Sequence, residues 1–299
     1  MTPVQRVAAY AVLRDDAGRV LVTRSSAASE VRGWWSLPGG GVEHGEHPAD
    51  AAVREAREES GLDIRVHGLP RVYADVLPLP ALGVDEHTVR LVYDAEVIGG
   101  ELRPEPDGTS DAVEFADPGR LRLRPLLPFV AEALALPVPP PPRARTGAPP
   151  AATAAALDGV VRRQRLAAYG LAYDRDRLLV TQLSATTPMP DAWTLPGGGV
   201  DHGEHPAGAL VREFAEETGL AARVGDLLGV YSTHFTGRAP SGVLEDFHGI
   251  RLVYAVRVDG AGEPRVVDLG GTTSAVAWHP LDRLGELATT PLLREALSR

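Results

Sequence analysis

A chain of 299 residues with 44% apolar content is long enough for two domains with packed cores. Cysteine is absent, which excludes disulfides, thiolate zinc sites and cysteine nucleophiles together. The net charge of −10 argues against a binder of duplex nucleic acid, and no apolar run reaches the roughly 18 residues of a membrane-crossing helix.

In chain order, the apolar alternation from Val7 to Leu13, the turn at Asp15-Asp16-Ala17-Gly18 and the run Val20 to Thr23 predict a hairpin. The opening MTPVQRVAAYAVLRDD thus reads as a first strand, not a targeting segment, and a cytoplasmic location is expected. A polar loop, Arg24 to Gly33, and Trp34-Trp35-Ser36-Leu37 lead into a glycine-rich turn, Leu37-Pro38-Gly39-Gly40-Gly41. Pro48 suits the first turn of a helix, helix formers fill Ala49 to Ser60, and Gly61 marks its stop. Strands are predicted at Asp63–His67, Val72–Leu77, Thr88–Val97 and Ala112–Phe115, and a closing helix at Pro125–Leu136. Residues 137 to 150 hold seven prolines in fourteen positions, read as a semi-rigid polyproline linker of about 40 Å at most. Ala151–Leu157 could add a helical turn.

The rest repeats the first half. Arg165-Leu166-Ala167-Ala168-Tyr169 echoes Arg6-Val7-Ala8-Ala9-Tyr10, and Trp193-Thr194-Leu195-Pro196 echoes Trp35-Ser36-Leu37-Pro38. Arg251-Leu252-Val253-Tyr254 echoes Arg90-Leu91-Val92-Tyr93, and Pro291-Leu292-Leu293 echoes Pro125-Leu126-Leu127. Two homologous α/β domains follow, 1–136 and 159–299, joined by a Pro/Ala-rich linker, 137–158.

The chemistry sits on the helix after each glycine turn. Glu55, Glu58 and Glu59 stand at i, i+3 and i+4 and share one face, as do Glu213, Glu216 and Glu217. Like charges at this spacing destabilise a bare helix, and a divalent cation removes the penalty. Carboxylates with nearby backbone carbonyls are hard oxygen ligands that suit Mg²⁺ or Mn²⁺. A solvated charged face is the alternative for one isolated acidic run. The longer pattern G-x5-E-x7-R-E-U-x-E-E-x-G-U, with U apolar, occurs twice at identical spacing.

Both stretches resemble the Nudix box of the Nudix hydrolases. The matching positions are Gly40, Glu46, Arg54, Glu55, Glu58, Glu59 and Gly61, then Gly198, Glu204, Arg212, Glu213, Glu216, Glu217 and Gly219. Ala56 and Phe214 depart from the family's preferred aliphatic residue. The resemblance implies an α/β (α+β) chain of two tandem Nudix folds, each a mixed β-sheet sandwiched between α-helices. It implies metal-dependent hydrolysis of a nucleoside diphosphate linked to another moiety, with Mg²⁺ as cofactor and Mn²⁺ as an alternative. Glu59 and Glu217 would be principal metal ligands, helped by Glu55, Glu58, Glu213 and Glu216, which also orient or deprotonate water. The carbonyls of Gly39 and Gly197 would complete the ligand set. Arg54 and Arg212 would hold the acids in the catalytic arrangement. Glu46 and Glu204 would stand behind them and, with Gly40, Gly41, Gly198 and Gly199, border the substrate. The helix N-terminus would favour the phosphates through its dipole.

The repeats differ between box and Arg-Leu-Val-Tyr, where the second is three residues longer and carries Tyr231 to Phe235 and Glu245 to His248. Aromatic rings there, Tyr73 and Tyr231 among them, are candidates to stack on a base, with core packing the alternative. Glu86 and Glu245 are candidates for an acid outside the boxes, and His44, His47, His202 and His205 flank the loops. Pro78, a residue type that accompanies ADP-ribose hydrolysis in some relatives at this place, is matched by Thr236. The expected partner is a nucleotide-type small molecule, and either an internal pseudo-dimer or a homodimer is open. The rival reading is a nucleotide sensor in which one domain is catalytically idle.

Overall fold

Elements are described for residues 1–106, 108–142, 160–239, 242–259, 262–268 and 270–298 of a computed structural model. The chain divides into two units, Met1–Ala154 and Ala155–Arg299. The prolines at 149 and 150 and the helical turn expected at Ala151–Leu157 lie outside the described residues.

The first unit is built on β1 (Thr2–Leu13), whose second half is buried on both faces. Ala8, Tyr10 and Val12 point into one apolar cluster; Ala11 and Leu13 point into another. Such a run is what a strand covered on both sides requires. After β1 come β2 (Val20–Ser25), β3 (Trp35–Ser36), β4 (Gly39–Gly41) and helix α1 (Pro48–Ser60). Then follow β5 (Leu62–Leu79), β6 (Val84–Gly100), β7 (Ser110–Ala116), and the short helices α2 (Pro118–Leu121) and α3 (Pro128–Ala133). A four-stranded sheet runs β4-β1-β6-β5, with β1 and β6 parallel; a three-stranded sheet runs β3-β2-β7. Ala56 of α1 closes one cluster; Phe129 and Val130 of α3 close the other. Helices therefore cover both sheet faces.

The second unit repeats this with β8 (Val161–Asp174), β9 (Arg177–Leu183), β10 (Trp193–Thr194), β11 (Gly197–Gly199) and α4 (Pro206–Thr218). It continues through β12 (Ala221–Arg238), β13 (Leu244–Asp259), β14 (Thr273–Pro280), a 3-10 turn at Leu281–Glu286, and α5 (Pro291–Leu297). Here the strands join into one seven-stranded sheet, because β8 and β9 pair at Tyr173↔Leu178 and Asp174↔Arg177. The two-residue hairpin Arg175-Asp176, with Arg175 at φ 57°, permits that pairing. In the first unit the longer turn is held by Asp15, whose Oδ1 accepts from the N–H of Ala17 and Arg19. Only a single bridge, Arg14↔Val20, follows it.

Three sequence expectations change. The two strands foreseen between Asp63 and Leu77 are one, β5, because a register shift between His67 and Arg71 absorbs Gly68-Leu69-Pro70. The closing helix begins at Pro128, not Pro125, since Pro125 and Leu127 bond to both sides of Trp35. The glycine run is a strand, not a turn: Gly39 to Gly41 pair with Tyr10 to Ala8.

Candidate active site

The site begins with how α1 is fixed. Pro48 occupies its first turn, and His47 caps it, Nδ1 accepting from the Ala49 N–H at 3.1 Å. Gly61 ends it at φ 72°, in the left-handed region. Helix α4 has the same ends, His205 Nδ1 accepting from Ala207 at 3.2 Å and Gly219 at φ 68°. His47 and His205 are therefore committed to the helix backbone. Glu55 lies seven residues beyond Pro48, about 10 Å along the axis. A helix dipole fades within its first turn, so the N-terminal field does not reach the acids themselves.

Strand β4 and the acidic face of α1 meet directly. Glu59 is 7% exposed; its Oε2 accepts from the Gly39 N–H at 3.0 Å and its Oε1 from the Ser110 hydroxyl at 2.5 Å. Burial raises its pKa to about 7, only partly offset by those two donors, with nearby Glu55 adding to the rise. Glu217 matches it: Gly197 N–H at 2.9 Å, Thr273 hydroxyl at 2.5 Å, 8% exposure, and a pKa again raised by burial to about 7. Ser110 and Thr273 escaped sequence reading. They lie on β7 and β14, more than fifty residues from the acids they touch, outside any motif.

Glu55 lies against the next glycine. A Cβ on Gly40 would come within 2.5 Å of Glu55 Oε2, and Gly198 is equally filled by Glu213. Both acids have raised pKa values, burial being the largest cause. The two carboxylates of each unit thus rest against consecutive glycines. Gly39 and Gly197 have φ of 149° and 135°, and a Cβ there would strike the neighbouring strand.

Arg54 holds the set together. Its Nε and Nη2 donate to the two oxygens of Glu46 at 2.8 and 3.0 Å, and Nη2 also donates to the Gly41 carbonyl at 3.0 Å. Its Nη1 reaches Glu55 at 2.9 Å and Glu58 at 3.2 Å. Arg212 repeats the pattern with Glu204, Gly199, Glu213 and, at 3.5 Å, Glu216. A bidentate fork of this kind fixes orientation as well as charge. Glu46 and Glu204 therefore position the arginines; both oxygens of each carboxylate are spent there. Glu58 and Glu216 are about half exposed and stay open to a ligand.

Tyr231 is 9% exposed and belongs to the core under β12; Tyr73, half-buried, packs on the core that contains Tyr10 and Phe129. The packing alternative describes Tyr231, while Tyr73 lies against the core with part of its ring exposed. Glu86 bonds the Thr88 hydroxyl at 3.1 Å and lies 4.0 Å from Arg6, and Glu245 pairs with Arg163 at 3.2 Å. Pro78 sits in the β5–β6 ladder opposite Asp85.

The donor set fits a hard divalent cation. Each unit gathers three carboxylates, two of them desolvated, with all-oxygen chemistry and no thiolate or ordered imidazole cluster in the motif. Among the described residues, no helix is long and apolar enough to cross a membrane.

Comparison with known proteins gives a consistent picture. A family model described as NUDIX domain matches residues 4–136 and 163–298. An ADP-ribose pyrophosphatase of Methanocaldococcus jannaschii is 35% identical over 111 residues, which are 37% of this chain and 61% of that protein. Human diphosphoinositol polyphosphate phosphohydrolase 3-alpha is 47% identical over 49 residues, 16% of this chain and 30% of that protein. The chain thus spans less than two thirds of the length of these relatives. Among solved structures, a MutT NUDIX hydrolase from Burkholderia pseudomallei is 31% identical, covering 46% of this chain and 97% of that one, with a TM-score of 0.37.

Proposed function

The chain belongs to the NUDIX domain family, matched over both units, and from that premise we propose that each unit is a Mg²⁺-dependent hydrolase of a phosphoanhydride bond. The substrate is a small molecule of nucleotide type, a nucleoside diphosphate linked to a second group. The observation that carries this reading is the duplicated arrangement of Glu55, Glu58 and Glu59 against Gly39-Gly40, and of Glu213, Glu216 and Glu217 against Gly197-Gly198.

The residues divide the work. Glu59 and Glu217, fixed by a backbone N–H and a hydroxyl, would hold the cation, with Glu55 and Glu213 beside them. When bound, Mg²⁺ neutralises the non-bridging oxygens of the diphosphate and makes the attacking water more acidic; Mn²⁺ has the same coordination chemistry. Burial makes Glu55 and Glu213 more basic than free glutamate, which suits a group that accepts the proton of that water. Glu58 and Glu216, open to solvent, are placed to orient it. Arg54 and Arg212 keep the carboxylates in register. Both sets are complete, so both units are expected to turn over.

Glu59→Gln and Glu217→Gln, singly and together, test the reading. Each single variant should abolish the activity of its own unit, and the double variant should lose at least a hundredfold while keeping its circular dichroism spectrum. The panel is nucleotide sugars, dinucleoside polyphosphates, ADP-ribose and nucleoside triphosphates. Wild-type turnover by the double variant on any of them would sink the assignment.

A further inference from the structure

The two units carry the same acids beside opposite recognition faces. On the sheet face that holds Tyr10, the first unit aligns Arg6 and Ala8 of β1 with Thr88 and Arg90 of β6 and with Asp75 and Tyr73 of β5. Its arginines face carboxylates. Arg90 is 9% exposed, ion-paired to Asp75 at 2.6 Å and roofed by the Phe129 ring at 4.8 Å. Arg6 lies against Gly41 and reaches Glu86 at 4.0 Å.

In the second unit both of those acids are replaced, and the carboxylate that remains on this face, Glu245, is paired with Arg163 at 3.2 Å. Thr233 replaces Asp75, Phe247 replaces Glu86, and Gly249 replaces Thr88. Arg251 donates to the Thr233 hydroxyl at 2.6 Å instead of pairing with a carboxylate. Leu127 and Thr290 bond to Trp35 and Trp193 alike and precede the helices that start at Pro128 and Pro291, so the buried Leu292 stands where Phe129 does and that ring has no counterpart. A Cβ on Gly249 would lie 3.0 Å from the Phe247 ring and 3.3 Å from Arg251 Nη2, so both groups lean over that glycine. Phe235 packs beside Phe247, centroids 5.4 Å apart, and is 49% exposed. Arg165 overlies Gly199, at the end of the glycine strand that cradles Glu213. Gly199, Ala167 and Arg251 are lateral neighbours on adjacent strands, so Arg251 stands about 10 Å from the glycine strand at ~4.8 Å per strand.

We propose that Phe247, Phe235 and Arg251 form a nucleobase platform found in the second unit alone, with Arg165 receiving the adjoining phosphate. Two neighbouring rings tilted by 41° and a guanidinium beside them offer an aromatic face and a cation to a heteroaromatic base. With Thr233 in place of Asp75, the charge of Arg251 meets a hydroxyl where Arg90 meets a carboxylate, which leaves it available to an incoming nucleotide. The second unit therefore selects substrates by their base; the first does not. This inference rests on the diphosphate reading of the Glu213, Glu216 and Glu217 site.

The test uses the full chain carrying Glu59→Gln, with Mg²⁺ and two non-hydrolysable probes: α,β-methylene-ADP, and methylenediphosphonate, which lacks a base. Calorimetric titration should show Phe247→Ala and Arg251→Met weakening the nucleotide by about tenfold to a hundredfold. Binding of the base-free probe should stay within twofold, and Phe247→Tyr should keep nucleotide affinity, which separates stacking from lost fold. Equal affinity for α,β-methylene-ADP in parent, Phe247→Ala and Arg251→Met proteins overturns the platform, as does a parallel loss for both probes. Base-dependent binding by a chain that hydrolyses no member of the substrate panel would instead sink the hydrolase reading and leave the platform standing.

Discussion

Behind α1, the first unit sets Ala56 against Ala11, Leu13 and, partly buried, Ala95. Behind α4, the second sets Phe214 against Gly170, Ala172 and Val256. Bulk has moved from the first strand to the helix and to Val256: a Cβ on Gly170 would come within 2.7 Å of Val256 Cγ2 and 3.4 Å of the Phe214 ring. Yet the acids have not moved. Glu59 meets Gly39 at 3.0 Å and Glu217 meets Gly197 at 2.9 Å; Arg54 and Arg212 hold their glutamates at 2.8 and 2.9 Å. Volume-matched exchanges keep a core intact where single changes do not, and the polar ties, not the packing, are what the two units share.

The strongest way to break this comparison is to disturb one side of each exchange. Phe214→Ala should destabilise the second unit by about 3–5 kcal/mol through an unfilled cavity, while Ala56→Phe should overpack the first by about 1–3 kcal/mol. Combining Ala56→Phe with Ala11→Gly should recover part of that loss, because it copies the partner's solution. Two-transition thermal unfolding would read all three; full additivity would mean that the volumes are not coupled.

The next effect concerns what the units share. Glu59 and Glu217 titrate near 7 in the folded chain, raised by burial from an ordinary 4.5. The folded state therefore holds their protons more tightly than the unfolded state does. The stabilisation is complete below about pH 4.5 and is lost as pH rises toward 7, on the order of 3 kcal/mol per site. In chelator, the melting temperature of the parent should fall across that window relative to the Glu59→Gln, Glu217→Gln double variant. Saturating Mg²⁺ should abolish the fall. A pH-independent difference between the two proteins would refute the linkage.

The smallest effect sharpens the match. Ser110→Ala and Thr273→Ala each remove the hydroxyl that orients a buried carboxylate, and each should weaken divalent-cation affinity in its own unit by about tenfold. Exchange of the two, Ser110→Thr and Thr273→Ser, should restore it. Mn²⁺ titration followed by electron paramagnetic resonance reads this independently of turnover; unchanged affinity in both Ala variants would show the hydroxyls to be bystanders.

What could be read from sequence was whatever obeys local spacing. The caps at Pro48 and Gly61, the one-faced acids of α1 and the repeat itself all follow from residues near in the chain. Three things did not. Ser110 and Thr273 reach Glu59 and Glu217 only through sheet pairing, and no periodicity announces them. The Gly39–Gly41 run was expected to turn because glycines do, but β1 supplies a partner, and tertiary pairing wins over propensity. Tyr73 and Tyr231 looked like candidates for stacking because they open the divergent segment. Strand register buries Tyr231 in the core, sets Tyr73 half-buried against its own, and leaves Phe247, sixteen residues beyond Tyr231, over the bare backbone of Gly249.

Gly40 and Gly198, each filled by a carboxylate rather than by a side chain of its own, carry a consequence for descent. One methyl group at either place would push that carboxylate aside and, on the hydrolase reading proposed above, weaken that half of the molecule with every acidic residue still spelled out in the gene. In lineages where a duplicated copy has fallen silent, the missing letter to look for is that glycine.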